Sequence, residues 1–280
     1  MTLRTLPKAD IASRPGLRSD VTPKSLSRWN PDVRAAADET EATISILDPI
    51  GMDYWGDGVT AKRITAALRS IGDRDAVVNV NSPGGDFFEG LAIYNALREH
   101  KAKVTVNILG VAASAASVIA MAGDEIRIAR AGFLMIHNTW VVAAGDRNAF
   151  IEVADWLAPF DDVSADIYAA RTGIAKDKIA AMLDRETWIS GSAAVEQGFA
   201  DGLLSADEID AGSDAQQSGG SARAEKRFDV LAHKGGMSRV EARQLLTDLK
   251  GGKPGAASDI TPGADVAQGL RSFLESLKSI

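Results

Sequence analysis

Two short stretches of this sequence hold more chemistry than a turn requires. Ser82-Pro83-Gly84-Gly85 follows an apolar strand-like run. There Pro83 fixes φ and removes a donor, while Gly84 and Gly85 admit positive φ and leave backbone N–H groups bare toward a ligand. A tight strand-to-helix turn would use the same residues. In Leu109-Gly110-Val111-Ala112-Ala113-Ser114-Ala115-Ala116-Ser117 a strand runs into a helix through residues that are nearly all small. Ser114 then stands at a helix N-terminus, where it can be a plain cap or a nucleophile whose developing charge the free N–H groups favour. The layout follows the logic of the G-x-S-x-G elbow, although Ala112 and Ala116 stand where that pattern has glycine. A serine nucleophile needs a base, and imidazole is the side chain that takes a proton near neutral pH. Of the three histidines, His100 ends an exposed helix beside Lys101 and His233 lies in the C-terminal tail. His137 closes the apolar run FLMIHN, residues 133 to 138, which would hold its ring rigidly at a sheet edge. Such a histidine is equally at home as a structural residue, and only its combination with Ser114 makes it a candidate base.

The elements that must position these groups lie between residues 42 and 204. Runs rich in Ile and Val alternate there with helical patterns, the signature of stacked β-α units. Strands are expected at ATISILD (42 to 48), AVVNVN (76 to 81), KVTVNILG (103 to 110), EIRIA (125 to 129) and FLMIHN. Helices are expected over 59 to 70, around Leu91, Tyr94 and Leu97, over 114 to 122, and over 147 to 171 with Gly173 as the stop. The helix over 114 to 122 is apolar on all sides and should be buried.

Outside this region the composition changes. Residues 1 to 34 carry seven Lys or Arg against three Asp, with Pro7, Pro15, Pro23 and Pro31 spread among them, so residues 1–41 read as a flexible, solvated basic arm. They contain no apolar run of signal-peptide length. Residues 205–280 read as a Gly/Ser/Ala-rich linker with two short helices, one over 237 to 250 with Val240, Leu245, Leu246 and Leu249 as its stripe, one over 266 to 280.

Composition removes several function classes. At 45% hydrophobic and 25% charged, the 280 residues are ordinary folding material, so a wholly disordered or collagen-like chain is excluded. The absence of cysteine rules out a thiol nucleophile and zinc held by thiolates; no metal or other cofactor is expected. A formal charge of −7 opposes nucleic acid as the main partner, and no apolar run is long enough to span a membrane.

Taken in order, SPGG, GVAASAAS, LMIHN and ETWISGSAAVEQGFADGL resemble the Clp-type serine peptidases. With the stretch ISILDPIGMDYWGDGVTA they more closely resemble that family's phage head-maturation proteases. The likeness covers residues 42–204. It implies an α/β, ClpP/crotonase-like fold of stacked β-α units with a protruding helical handle, for which the helix over 147 to 171 is the candidate; a core-covering helix would bury a stripe equally well. It implies Ser114 as nucleophile, His137 as general base, and Gly85 and Ala115 as the oxyanion-hole positions. The third member aligns with Glu186, where the family's Clp peptidases carry aspartate; Asp184 is the alternative. Substrate backbone is expected as an added strand beside the segment after Gly85 and beside Thr139 to Gly145, with Gly84, Asp86 and Thr139 as binding positions. Implied too are polypeptide substrates (capsid, portal or scaffold proteins), a homo-oligomeric ring, and action in the host cytoplasm within the assembling phage head. Hydrolysis itself would consume no ATP. The rival expectations are a crotonase-like acyl-CoA enzyme, which shares the fold but needs no Ser114–His137 pair, and a non-catalytic scaffold protein.

Overall fold

The computed structural model describes residues 18–31, 33–35, 42–51, 58–205, 209–210, 228, 232, 237 and 239–251. The chain divides into two units, one of residues 1–51 and 58–213, the other of 52–57 and 214–280.

The first unit is organised by five parallel strands: β3 (Thr43–Ile46), β4 (Ala76–Ser82), β5 (Val104–Ala113), β6 (Glu125–Ile128) and β10 (Gly202–Leu203), in spatial order β10-β6-β5-β4-β3. Parallel neighbours cannot be joined by hairpins, so helices make the crossovers. These are α2 (Ala61–Ile71) between β3 and β4 and α3 (Phe87–Arg98) between β4 and β5. The β4 strand is buried at nearly every position, as both-face coverage requires, and it therefore reads as a continuous apolar run interrupted by Asn79 and Asn81. The expected apolar helix is α4 (Ala115–Ala120), every residue of which is buried. This is a mixed α/β fold with a parallel-rich sheet, the stacked β-α arrangement the sequence led us to expect.

β5 is longer than its apolar run suggested and, with β4 along one edge, serves two partners in turn along the other. Thr105–Ile108 pair with β6, whereas Val111–Ala113 pair in parallel with β7 (Phe133–Ile136). On its other side β7 pairs antiparallel with β9 (Thr187–Ser190). His137 therefore follows a strand flanked on both sides, which corrects the expectation of a sheet edge. Helix α5 (Arg147–Thr172) is capped by Asp146, whose carboxylate accepts from the Asn148 and Ala149 N–H groups, and it stops at Gly173 in the left-handed region. The two readings of this helix each describe one half: Phe160, Ile167 and Tyr168 are buried, while Phe150 and Ile151 are 51% and 46% exposed. After it come α6 (Lys176–Asp184) and α7 (Gly191–Glu196).

The N-terminal region departs most from its composition. Residues 18–31 pack, with β1 (Arg18–Ser19), the short helix α1 (Pro23–Arg28) capped by the Thr22 hydroxyl, and Val21, Leu26 and Trp29 buried. The Trp29 indole N–H donates to Asn81 O at 2.8 Å, and Asn81 Nδ2 donates back to Asn30 O at 2.6 Å. Three apolar anchors inside a basic, proline-bearing stretch are enough to overturn the solvated-arm expectation over these residues. β2 (Arg34–Ala35) pairs antiparallel with β11 (Ile209–Asp210), so the first unit takes in residues beyond 204.

In the second unit, α8 (Arg239–Gly251) realises the expected helix over 237 to 250, but Ala242 and Leu245 are the buried positions and Val240 is 79% exposed. The helix expected over 266 to 280, His233, and residues 1–17 lie outside the described residues.

Candidate active site

Ser114 sits where β5 gives way to α4. The β5–β7 register, Val111↔Phe133 to Ala113↔Met135, is completed by the Ser114 N–H, which donates to Met135 O at 2.9 Å. A parallel pair in this register carries β7 onward beside the elbow, and His137 Nε2 comes to 2.7 Å from Ser114 Oγ. With the ring proton on Nδ1, the serine hydroxyl donates to Nε2. Ser114 adopts φ 56° and ψ −126°, and its side chain makes no cap hydrogen bond, so the plain-cap reading falls away. Ser114 and Glu186 are the non-glycine residues with positive φ among the described residues. L residues enter that region at a cost of about 1–2 kcal/mol, and such outliers gather at working sites.

The SPGG turn closes against this elbow. A Cβ on Gly84 (φ 87°) would lie 2.5 Å from Ala113 O, 2.7 Å from Ser114 Cβ and 3.3 Å from Ala115 N. A Cβ on Gly85 (φ 148°) would lie 2.2 Å from Ile50 O. Both positions need glycine, and the turn comes close to the Ala115 N–H. Ile50 bridges the segment in parallel: its N–H donates to Gly84 O at 2.9 Å and its carbonyl accepts from Asp86 N–H at 3.0 Å. Backbone groups alternate sides along a strand, so Gly85 directs its own N–H away from Ile50.

The three residues expected to contact substrate already make hydrogen bonds within the chain. Asp86 caps α3, with Oδ1 accepting from Glu89 N–H at 2.9 Å, and its N–H is on Ile50. Gly84 O is on Ile50 as well, so this side of the segment is already paired. Thr139, 8% exposed, donates its N–H to Asp161 Oδ1 at 2.6 Å. The Gly84 and Asp86 groups that face Ile50 and the Thr139 N–H are thus already engaged, whereas the Thr139 hydroxyl oxygen is buried with no hydrogen-bond partner among the described residues.

Neither carboxylate candidate hydrogen-bonds the imidazole. Asp184 Oδ1 accepts from Asn138 Nδ2 at 2.8 Å. Glu186 Oε1 accepts from the Trp188 indole N–H at 3.1 Å and lies 3.2 Å from Lys24 Nζ. The two differ in their electrostatics. Burial holds the His137 pKa below its ordinary value, and the negative charge of Glu186 opposes that shift. The field at the ring therefore comes from Glu186. A depressed pKa keeps the ring neutral, and so able to accept a proton, at neutral pH.

Sequence reasoning missed the shell behind the elbow. Ser117 Oγ donates to Ser114 O at 2.6 Å and is 2.8 Å from the Tyr168 hydroxyl, a phenol whose pKa burial raises. Asp161 steadies the chain just past His137 through Thr139; burial raises its carboxyl pKa against that hydrogen bond. Both contacts join α5 to the elbow region, and residues 51 and 22 positions apart in the chain give no local signal. Lys24 and Trp188 went unmarked for the same reason.

A parallel α/β core with a serine–histidine pair at a strand-to-helix elbow defines the class. Residues 40–207 match the family model described as Clp protease. The ATP-dependent Clp protease proteolytic subunit of Pleurastrum terricola is 33% identical over 132 residues, covering 46% of this chain and 66% of the relative. Its namesake in Deinococcus radiodurans is 30% identical over 134 residues, covering 47% and 66%, and subunit 3 of Rhodococcus jostii is 32% identical over 135 residues with the same coverage. The chain belongs to the Clp protease family. It spans a little under two thirds of the length of these curated relatives.

Proposed function

We propose that this chain is a serine endopeptidase that cleaves polypeptides through an acyl-enzyme. The observation that carries the proposal is the 2.7 Å contact between Ser114 Oγ and Nε2 of a half-buried His137, whose pKa desolvation lowers. As Oγ attacks the scissile carbonyl carbon, Nε2 takes the hydroxyl proton. The resulting oxyanion is met by the N–H groups of Gly85 and Ala115; one such donor is worth on the order of 10²–10³ in rate. The imidazolium then gives its proton to the leaving amine, the C–N bond breaks, and water reverses the sequence to free the serine. Glu186 stabilises the imidazolium through its charge. With Oε1 held by Trp188 and Lys24, it acts across space and not as a hydrogen-bonded third member.

A fluorophosphonate probe tests this. Labelling at Ser114 that disappears in both Ser114→Ala and His137→Ala, with folding retained, is the expected result. Labelling that survives either change refutes the assignment. An acyl-CoA enzyme or a scaffold protein has no use for an activated serine, and the family match supports neither.

At a finer level, we propose processing of capsid, portal or scaffold proteins in an assembling phage head within the host cytoplasm, by a homo-oligomeric ring. The likeness of ISILDPIGMDYWGDGVTA and the extensions flanking residues 42–204 support the phage role. The exposed Phe150 and Ile151 on the leading half of α5 support assembly through that helix. Mass spectrometry of a capsid precursor incubated with active enzyme should show defined cleavages; an intact precursor beside cleaved control peptides would refute the phage role.

A further inference from the structure

The segment four residues beyond His137 is already paired. β8 (Val141–Val142) is joined antiparallel by β1, with Arg18 opposite Val142 and Ser19 opposite Val141. This lies within the stretch, Thr139 to Gly145, on which an extended substrate was expected to add as a strand. From there the chain runs on past Glu186 and Trp188: Lys24 Nζ is 3.2 Å from Glu186 Oε1, and the Arg28 guanidinium lies 4.1 Å above the Trp188 ring. The Trp29 and Asn30 contacts to Asn81 then fasten the segment to the end of β4, just before the SPGG turn. One continuous stretch of this chain therefore combines strand pairing beside the candidate base with basic side chains set on an acidic and an aromatic partner.

We propose that Arg18–Ser19 occupy the substrate-strand site in cis, held there by the helix α1 behind them, whose Lys24 and Arg28 rest on Glu186 and Trp188. The proposal rests on the peptidase reading and extends it to regulation. Main-chain pairing asks for extended backbone and little else, so whatever adds to Val141–Val142 competes with Arg18–Ser19. The docked arm has the advantage of tethering: Trp29 is 1% exposed and holds its end in place, which keeps β1 at an effective concentration of about millimolar. Its grip at the edge is nevertheless slight. Two paired residues and one ion pair whose lysine is 71% exposed leave it displaceable. An arm docked for nine-tenths of the time would raise the apparent KM about tenfold and leave kcat untouched.

Full-length protein carrying Arg18→Pro and Ser19→Pro tests this, because proline cannot donate to a strand ladder and neither position contributes to the buried anchors. The expected result is a KM for an extended peptide substrate about tenfold lower, with kcat and the rate of fluorophosphonate labelling unchanged. A synthetic peptide with the sequence of residues 14–28, added to the double-proline chain, should restore the higher KM as a competitive inhibitor; an analogue with Lys24 and Arg28 replaced by alanine should restore it less. An unchanged KM with Ser114 labelling intact overturns the proposal. So does a peptide that fails to inhibit, a measurement that stands even on the parent chain should the double variant misfold. Absence of labelling in every chain, by contrast, refutes the peptidase reading itself, and this proposal falls with it.

Discussion

Replacing Gly84 by alanine should disable the site far more than it weakens the fold. The new methyl would stand 2.5 Å from Ala113 O and 2.7 Å from Ser114 Cβ, whereas ordinary contact begins at 3.4 Å, so the two segments must part by 0.9 Å, the difference 3.4 − 2.5. Neither neighbour is the far end of a flexible chain, and the displacement falls on the elbow. Misplacing a reacting group by about 1 Å costs about a hundredfold in rate. Gly72→Ala is the control. It shares the positive φ, 70°, but its methyl meets nothing within 4 Å. It should cost about 1–2 kcal/mol of backbone strain and leave chemistry alone. The assay is the second-order rate of fluorophosphonate labelling, read well below the melting temperature of each variant alongside its circular dichroism. We expect Gly84→Ala to label about a hundredfold more slowly and Gly72→Ala at the parent rate. Equal slowing in both, or labelling of Gly84→Ala within about threefold of the parent, would refute the argument that the SPGG turn braces the nucleophile.

Removing the charge of Glu186 should move the acid limb of the kcat/KM profile in an unobvious direction. That charge raises the His137 pKa against burial, so Glu186→Gln should lower it further: activity persists to lower pH, at a reduced maximal rate, and a limb that moves to higher pH counts against Glu186 as the source of the field. Arg171 is 3% exposed, donates to Gly123 O at 3.0 Å and pairs with Asp201, whose side chain reaches solvent, so Arg171→Met should cost about 1–3 kcal/mol in urea unfolding by orphaning the buried carbonyl; a loss under about 0.5 kcal/mol would show that these contacts contribute little.

The parts of this protein that were legible in its sequence are those set by local pattern. Ala76–Ser82 and Val104–Ala113 declare themselves as buried strands by composition, and Ser114 follows from where the second one stops. His137 was identifiable because the run that precedes it is short and apolar, although its neighbour β9 was not, since Thr187–Ser190 holds one buried residue in four. What stayed hidden depends on distant partners. Val21, Leu26 and Trp29 follow no helical or strand period and are outnumbered by charge and proline, so their burial shows only once Asn81 is in place to receive Trp29. Of two nearby carboxylates the sequence favoured Glu186 over Asp184 as the partner of His137, and it could not show that Asn138 engages Asp184 or that the charge of Glu186 reaches the ring across space.

At Leu109-Gly110 the long strand β5 leaves one neighbour and takes another, pairing with β6 before that point and with β7 after it. The Ser114 hydroxyl stands one residue past the last rung of the second pairing, Ala113↔Met135. Its place is thus set by where the strand changes partners, and a longer or shorter run between the two pairings would carry it away from His137 without altering either residue.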